Sequence, residues 1–244
     1  MNLLISSSKD GNISYSHSDN ILSVKRNVNF FLLKNRLPEK KRVVLIPSHF
    51  NGVITIDNKF QKLFEDLTFN KDTGDYYIHA DGLVSNLSDD YIYLLKPADC
   101  SGIIIYSEQS EWKAFMHIGF LNIITNTIES AIKRLREKSG NVKLKAKVSR
   151  HISKKSYFHD TPGLYDMAIN TGNSEYVENI NGKYHYDLTK AITEALTKNE
   201  IEIENIDLKD NFKLAIENKA FSYRAFKKGL QENDYRQLII ASKN

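Results

Sequence analysis

The sequence predicts a single α+β domain, because short apolar strand segments are mixed with only two clear helical patterns. Strands and helices do not alternate regularly along the chain, which argues against a doubly wound parallel sheet. The 244 residues are long enough to bury a sizeable core, and no Ser-, Gly- or Pro-rich linker divides them. We therefore interpret residues 1–244 as one domain.

The first third of the chain is predicted to be mostly extended. Its strand segments are short, apolar or β-branched, and are separated by polar residues, Pro or Gly: 43–46, 52–56, 76–78, 83–84 and 91–95. One helical turn is predicted at residues 60–64.

The middle of the chain predicts a β-hairpin followed by a long helix. Residues 102–106 have the β-branched composition of a buried strand, residues 107–110 are polar and turn-like, and residues 112–117 form the second strand. The helix is indicated by apolar residues at spacings of three and four, namely Phe120, Ile124, Ile128, Ala131 and Leu135. Gly140 marks its expected end.

The last part of the chain contains the second clear helix, over residues 187–198, with Asp187 as its N-cap. Lysines alternate with apolar residues over 142–148, which predicts an edge strand or a half-exposed strand. Further strands are predicted at 165–169 and within 235–241.

Composition excludes several classes of protein. The 34 Lys+Arg and 30 Asp+Glu give a formal charge of only +4 and are mixed along the chain, so nucleic acid is not expected as a partner. No apolar run reaches the roughly 18–20 residues of a membrane span, and the first residues lack the basic segment of a signal peptide. A single cysteine, Cys100, excludes internal disulfides and suits a reducing compartment. We expect a cytoplasmic protein with no membrane partner.

The hairpin offers a geometric argument about two reactive side chains. A turn centred between Glu108 and Gln109 would place Cys100 directly opposite His117, with both side chains on one face. Opposed Cβ atoms lie about 4.5–5.5 Å apart, so the pair could share a metal ion or form a thiolate–imidazolium pair. A turn shifted by one residue would offset them. A purely structural role also stays open, because a lone cysteine is usually a small buried apolar residue.

Six short blocks carry a family resemblance. In chain order they are Asn35-Arg36-Leu37, Ala80-Asp81-Gly82-Leu83-Val84-Ser85, Pro97-Ala98-Asp99-Cys100, Met116-His117-Ile118-Gly119-Phe120, Tyr186-Asp187-Leu188 and Phe221-Ser222-Tyr223-Arg224. They resemble, in the same order, blocks of the laccase-domain family, whose members were once called multicopper polyphenol oxidases. The family's own versions include ADALVT, TADC, HAGW and FSYR. The blocks are individually short, but they span nearly the whole chain.

The resemblance implies a single α+β domain of packed mixed sheets flanked by helices, of the laccase-domain or cytotoxic-necrotizing-factor-like type. It also implies a metal site, with zinc as the ion, made from one Cys and two His. Cys100 and His117 match two of these ligands. The third falls in the segment 49–52, where aligning the glycine places Asn51 at the ligand position and His49 two residues earlier. His49 would reach the same cavity only with a local bulge or rotation.

The activity that the resemblance implies is zinc-dependent phosphorolysis of a purine nucleoside: adenosine, inosine, guanosine or methylthioadenosine. Adenosine deamination is also associated with the family. The expected catalytic residues are Cys100, His117 and Arg224, because a guanidinium grips oxyanions through parallel hydrogen bonds. Asp99, Tyr223 and Arg224 are expected to bind the nucleoside or phosphate. One Cys and scattered His do not provide a copper-oxidase ligand set, so copper is not expected.

Two other hypotheses stay open. The family's early arginine is absent from residues 14–19, and Phe120-Leu121 replaces its Trp-Arg pair. These departures, with Asn51, are consistent with a degenerate member that binds a ligand or partner without turnover. Alternatively, Cys100 and His117 could act without metal in a hydrolase, since the family is also associated with peptidoglycan editing. His79 and His151 are expected to have structural roles.

Overall fold

A computed structural model of the chain describes residues 1–15, 20–37, 40–49 and 52–243. Two six-stranded mixed sheets pack face to face, and helices cover both outer faces. This α+β arrangement of packed mixed sheets and flanking helices confirms the fold class predicted from the sequence.

The first sheet holds three mutually parallel strands at its centre. Its strands, in spatial order, are β1 (Asn2–Ile5), β15 (Ile239–Ser242), β7 (Tyr91–Leu95), β2 (Lys41–Ile46), β5 (Asp75–His79) and β4 (Phe69–Asn70). Strand β2 runs parallel to both β5 and β7, so the carboxyl ends of these three strands lie at one edge of the sheet.

The second sheet is built around the predicted hairpin. Its spatial order is β14 (Glu202–Ile206), β10 (Lys145–Val148), β8 (Ser101–Tyr106), β9 (Lys113–Ile118), β6 (Gly82–Ser85) and β3 (Val53–Ile56). A small third sheet has the order β11 (Phe158–His159), β13 (Lys183–Tyr186) and β12 (Val177–Ile180). Strand β8 is fully buried, which agrees with its β-branched sequence.

Eight described helices complete the fold. They are α1 (Ile21–Lys34), α2 (Gln61–Thr68), α3 (Phe120–Ile124), α4 (Thr127–Ser139), α5 (Gly163–Asn170), α6 (Leu188–Lys198), α7 (Asn211–Ile216) and α8 (Tyr223–Lys227). Helix α1 packs on the outer face of the first sheet, and α3, α4 and α6 pack on the outer face of the second. None of the described helices is long and apolar enough to cross a membrane.

Helix α1 lies in the region that we predicted to be mostly extended, so that prediction is wrong there. Its buried residues, Val24, Val28, Phe31 and Leu32, do follow a helical spacing. Leu22 and Phe30, however, are exposed by 78% and 60%, and these apolar residues on the solvent face obscure the amphipathic pattern.

The predicted long helix is two helices. Asn126 adopts a left-handed conformation (φ 57°) between α3 and α4. Asparagine tolerates this conformation better than most residues, because its short polar side chain can bond locally. The apolar spacing continues across the break, which is why the pattern predicted one helix.

Two strand predictions also need correction. Residues 165–169 belong to α5, not to a strand, because a short apolar segment does not by itself distinguish the two. Residues 145–148 form the strand β10, and its lysine face is half-exposed, which confirms one of the two alternatives that we predicted. The edge alternative is wrong, because β10 lies between β8 and β14. The alternating lysines predict that one face of the strand is half-exposed. They do not predict which strands lie beside it.

Candidate functional site

The candidate site forms where the chain crosses three times from the first sheet to the second. The crossings leave the adjacent carboxyl ends of β2, β5 and β7 and lead to β3, β6 and β8 respectively. Because the three strands are parallel, their crossings meet at one edge. They carry His49, Asp81 and the pair Asp99–Cys100.

The hairpin register differs from the one that we predicted. Gly102, and not Cys100, pairs with His117. Two serine hydroxyls accept backbone hydrogen bonds within the turn, from Gln109 (3.1 Å) and Trp112 (3.1 Å), and the turn is centred one residue later than expected. Cys100 therefore lies just before β8 and is offset by two residues from the partner of His117. The direct opposition of the two side chains is wrong, but both line the same cavity.

Gly119 lies close to Cys100, just beyond the last registered pair of the hairpin, Ser101 and Ile118. A Cβ atom built on Gly119 would lie 2.8 Å from the Cys100 sulfur, which is too close for a side chain at that position. The backbone of Gly119 is extended (φ −122°), so glycine is needed here for space and not for its conformational freedom. The thiol thus fills the volume that a side chain would occupy.

His117 is a buried, neutral imidazole. It is only 3% exposed, and its Nδ1 has no hydrogen-bond partner among the described residues. Burial, together with the neighbouring His49, lowers the pKa of His117 to about 3. A buried nitrogen without a partner is costly, and a neutral imidazole nitrogen is a common metal ligand.

His49 reaches this imidazole through an unusual backbone conformation. Its φ is 64°, in the left-handed region, just after β2 ends. The His49 and His117 rings are 4.9 Å apart between centroids and meet edge to face. Asn51, the alternative third ligand, lies outside the described residues.

Asp81 holds the turn that presents His49. Its two carboxylate oxygens accept hydrogen bonds from the His49 amide (2.7 Å), the Ser48 hydroxyl (2.8 Å) and the Gly52 amide (3.2 Å). Burial alone would raise the pKa of Asp81, but these hydrogen bonds outweigh it and lower the pKa, so the carboxylate is charged.

His49, Asp81 and His117 each place one possible ligand atom within 4.8 Å of the other two. Such a group could hold a metal ion. Imidazole nitrogens and carboxylate oxygens are both zinc donors. The donor set therefore fits zinc. The group does not include the Cys100 sulfur, and Asp81 was not among the ligands that we predicted, although it lies in a block that we quoted.

The Cys100 thiol is protonated in this geometry. Burial raises its pKa to about 12, and the nearby Asp99 carboxylate contributes to the increase. With His117 also neutral, a metal-free thiolate–imidazolium pair is not favoured. A metal ion would change the thiol's state, because a coordinating thiol is deprotonated.

Asp99 and Arg224 join the third crossing to helix α8. Asp99 Oδ2 accepts a hydrogen bond from the Arg224 amide (3.0 Å), and burial raises the pKa of this carboxyl group. The Arg224 guanidinium donates to the Phe158 carbonyl (2.7 Å), contacts the His159 ring nitrogen and stacks 4.6 Å from the Tyr157 ring. The guanidinium is therefore oriented on the cavity wall.

Cys100, His117, Asp99 and Arg224 line one cavity of about 770 Å³. It is lined by every described residue that we singled out as catalytic, metal-binding or substrate-binding: His49, Asp99, Cys100, His117, Tyr223 and Arg224. His151 instead uses both ring nitrogens in hydrogen bonds, to the Ser149 carbonyl (2.9 Å) and the Thr189 hydroxyl (2.9 Å), which is a structural role.

Sequence reasoning missed three cations and one imidazole that also line the cavity: Lys96, Lys227, Arg236 and His159. Among the 34 Lys and Arg residues of the chain, no local pattern marks these three. Lys96 precedes the Pro97–Cys100 block directly, and this position was the only available signal.

Comparisons with known proteins agree with the fold and the resemblance. The sequence model of the family described as "multi-copper polyphenol oxidoreductase laccase" matches residues 6–232. No curated protein matches the sequence significantly.

Three solved structures are similar over 96% of this chain. They are the hypothetical protein YfiH of Bacillus licheniformis (TM-score 0.77, 16% identity, 85% of that chain), YlmD of Geobacillus stearothermophilus (0.73, 17%, 85%) and NMB0706 of Neisseria meningitidis (0.70, 16%, 86%). At these identities the likeness shows the fold alone. The match over residues 6–232 is the evidence for the family: the chain belongs to the multi-copper polyphenol oxidoreductase laccase family, as its sequence blocks predicted.

Proposed function

We propose that the protein is a zinc-dependent purine nucleoside phosphorylase. The observation that carries the proposal is the single cavity in which a neutral buried imidazole, a second imidazole and an oriented guanidinium come together. Its volume of about 770 Å³ lies within the range of about 300–1,000 Å³ that is typical of small-molecule sites.

His117, His49 and Cys100 are the proposed zinc ligands. Asp81 competes for this role by proximity, but its two oxygens already accept three hydrogen bonds from the turn at His49. We therefore assign Asp81 to positioning His49, as carboxylates beside metal-binding histidines often do. A zinc ion held there would supply a Lewis acid that stabilises developing negative charge.

The remaining groups suit phosphorolysis of a nucleoside. In that reaction a phosphate oxygen attacks the ribose C1′, and the purine leaves with the electron pair of the glycosidic bond. The Arg224 guanidinium stacks on the Tyr157 ring. The flat ring system suits a purine, and the charge of the guanidinium suits phosphate. The Arg224 guanidinium donates to the Phe158 carbonyl and contacts the His159 ring nitrogen. These contacts fix the direction of its remaining N–H groups.

The test is turnover of adenosine, inosine and methylthioadenosine by the zinc-loaded protein, with and without phosphate. We expect release of the free base and ribose 1-phosphate, or methylthioribose 1-phosphate, only when phosphate is present. Cys100→Ser and Arg224→Gln should each lower turnover at least tenfold, while His79→Gln, at an exposed position outside the cavity, should not change it. Ammonia release without phosphate would indicate deamination instead. No turnover by zinc-loaded wild-type protein would contradict the proposal.

A further inference from the structure

Lys96 is a half-buried cation that faces the candidate site. It follows β7 directly and begins the crossing that ends at Cys100, and its side chain lines the cavity. Its ammonium group lies 4.4 Å from the centre of the Tyr15 ring. Cation–π contact of this kind offsets only part of the cost of burying a charge.

Among the residues that the structure describes, the contact of the Lys96 ammonium is with the Tyr15 ring, and Asp75 forms its ion pair with Arg42 instead of Lys96. The other cations of the cavity differ. Arg224 is tied to Phe158 and His159, and Arg236 pairs with Asp234. Lys227 is exposed at the cavity rim, beside Tyr223.

The surroundings of Lys96 do not neutralise it fully. The charged and titratable groups around it are Tyr15, Arg42 on β2, and Asp75 and Tyr77 on β5. Burial lowers the pKa of Lys96 to about 8; Asp75 opposes this change and Arg42 adds to it. An anion entering the cavity would supply the missing counter-charge and would favour the protonated amine.

We propose that Lys96 binds a phosphoryl group of the substrate, either as inorganic phosphate or as the phosphate ester of a nucleotide. This inference rests on the proposed function for the identity of the anion, and it adds a specificity residue to that site. An ammonium group with three donors suits a phosphate oxygen as a point charge. The cavity is large enough for the anion to lie beside a nucleoside.

The experiment is calorimetric titration of inorganic phosphate and of adenosine 5′-monophosphate into the full-length protein at pH 8.5, without turnover. Two buffers of different ionisation enthalpy report the protons taken up on binding. Because Lys96 has a pKa of about 8, it is mostly neutral at this pH, and we expect wild-type protein to take up more than half a proton per anion.

Lys96→Met should weaken binding roughly 10- to 100-fold, the size of a lost charge-assisted hydrogen bond, and should abolish the proton uptake. Lys96→Arg should keep the affinity but not the uptake, since arginine stays protonated. Lys227→Met is the matched control, because it removes an exposed cation from the same cavity, and it should change affinity less than about threefold.

The two ligands distinguish the source of the phosphoryl group. A loss confined to phosphate supports the free anion, and a loss confined to the nucleotide supports a phosphate ester. Unchanged affinity for both ligands in Lys96→Met overturns the proposal. An equal loss of affinity in the control Lys227→Met overturns it as well, because the effect would then not be specific to Lys96. Lys96-dependent binding without phosphorolysis would leave this inference standing and would reject only the proposed function.

Discussion

At the scale of single residues, the close approach of Gly119 to Cys100 makes the thiol's position testable. Gly119→Ala would place a Cβ atom 2.8 Å from the sulfur and force the Cys100 side chain to move. We expect zinc content and turnover to fall several-fold. The free energy of unfolding should fall by about 1–3 kcal/mol, as is usual for overpacking. Metal analysis and urea unfolding measure the two effects.

Gly163→Ala is the matched control for this substitution. Gly163 begins α5, and a Cβ atom there would meet nothing within 4 Å, so zinc content, turnover and stability should all be retained. If Gly119→Ala also kept its zinc and turnover, the position of the sulfur would not matter to the site.

A second residue-scale prediction separates the roles of Cys100 and Asp81. Asp81→Asn keeps one acceptor oxygen but replaces the other with a donor, which loosens the turn at His49. We expect zinc affinity to fall about 10- to 100-fold, as for residues that orient a ligand. Cys100→Ser should cost more, because it removes the proposed ligand. Competition with a chromophoric chelator measures both, and a larger loss in Asp81→Asn would identify Asp81 as the ligand.

Individual site residues could be predicted only where a short sequence block identified them. Cys100, His117 and Arg224 lie in such blocks, and all three line the cavity. Asp81 lies in one as well, but its role depends on a turn more than 30 residues away, as its bonds to Ser48 and His49 show. Contacts between distant segments of the chain leave no local pattern.

At the scale of elements, the sequence predicted helices well where one face alone is apolar, and strands well where a short apolar run is bounded by polar turn residues. Helix α6 was predicted with its N-cap, and strands β8 and β9 were placed to within about two residues. Helix α1 was missed because its solvent face is also apolar. The hairpin register could not be predicted, because it depends on which side chains bond within the turn.

Helix α6 supplies the prediction at this scale. Asp187 accepts a hydrogen bond from the Lys190 amide (2.9 Å) and so satisfies one of the free N–H groups of the first turn. We expect Asp187→Ala to lower the free energy of unfolding by about 1 kcal/mol. Asp187→Asn, which keeps an acceptor oxygen, should lower it much less. Equal losses in the two variants, measured by urea unfolding, would show that the cap does not stabilise the helix.

At the scale of the whole molecule, the layered fold explains why the site was only partly predictable. Each of the three crossings joins a strand of the first sheet to a strand of the second, and the three crossings together build the site. The sequence predicts most of these strands individually. It does not predict which sheet each strand enters, because that is decided by packing between distant segments.

Stability against acid is the prediction that belongs to the molecule as a whole. Three histidines are kept neutral by the fold: burial lowers the pKa of His117 to about 3 and that of His159 to about 4, and it also lowers the pKa of His151. Unfolded histidines titrate near 6.5, so the unfolded state binds protons first as the pH falls. The stability from keeping these rings neutral is present above about pH 6.5 and is lost as the pH falls towards 4.

Urea unfolding of the zinc-free protein at pH 7.5, 6.5, 5.5 and 4.5 measures this loss. Each buried histidine adds at most about 1.4 kcal/mol per pH unit to the decrease in the free energy of unfolding. His159 adds less, because it is only half-buried. His151→Gln should be less stable than wild type at pH 7.5, because its two hydrogen bonds are disturbed, but its stability should depend less on pH. His79→Gln, at an exposed position, should follow the wild-type profile. If His151→Gln instead ran parallel to wild type from pH 7.5 to 4.5, the ring at 151 would have the same pKa in the folded and unfolded protein, and acid lability would have to come from other groups.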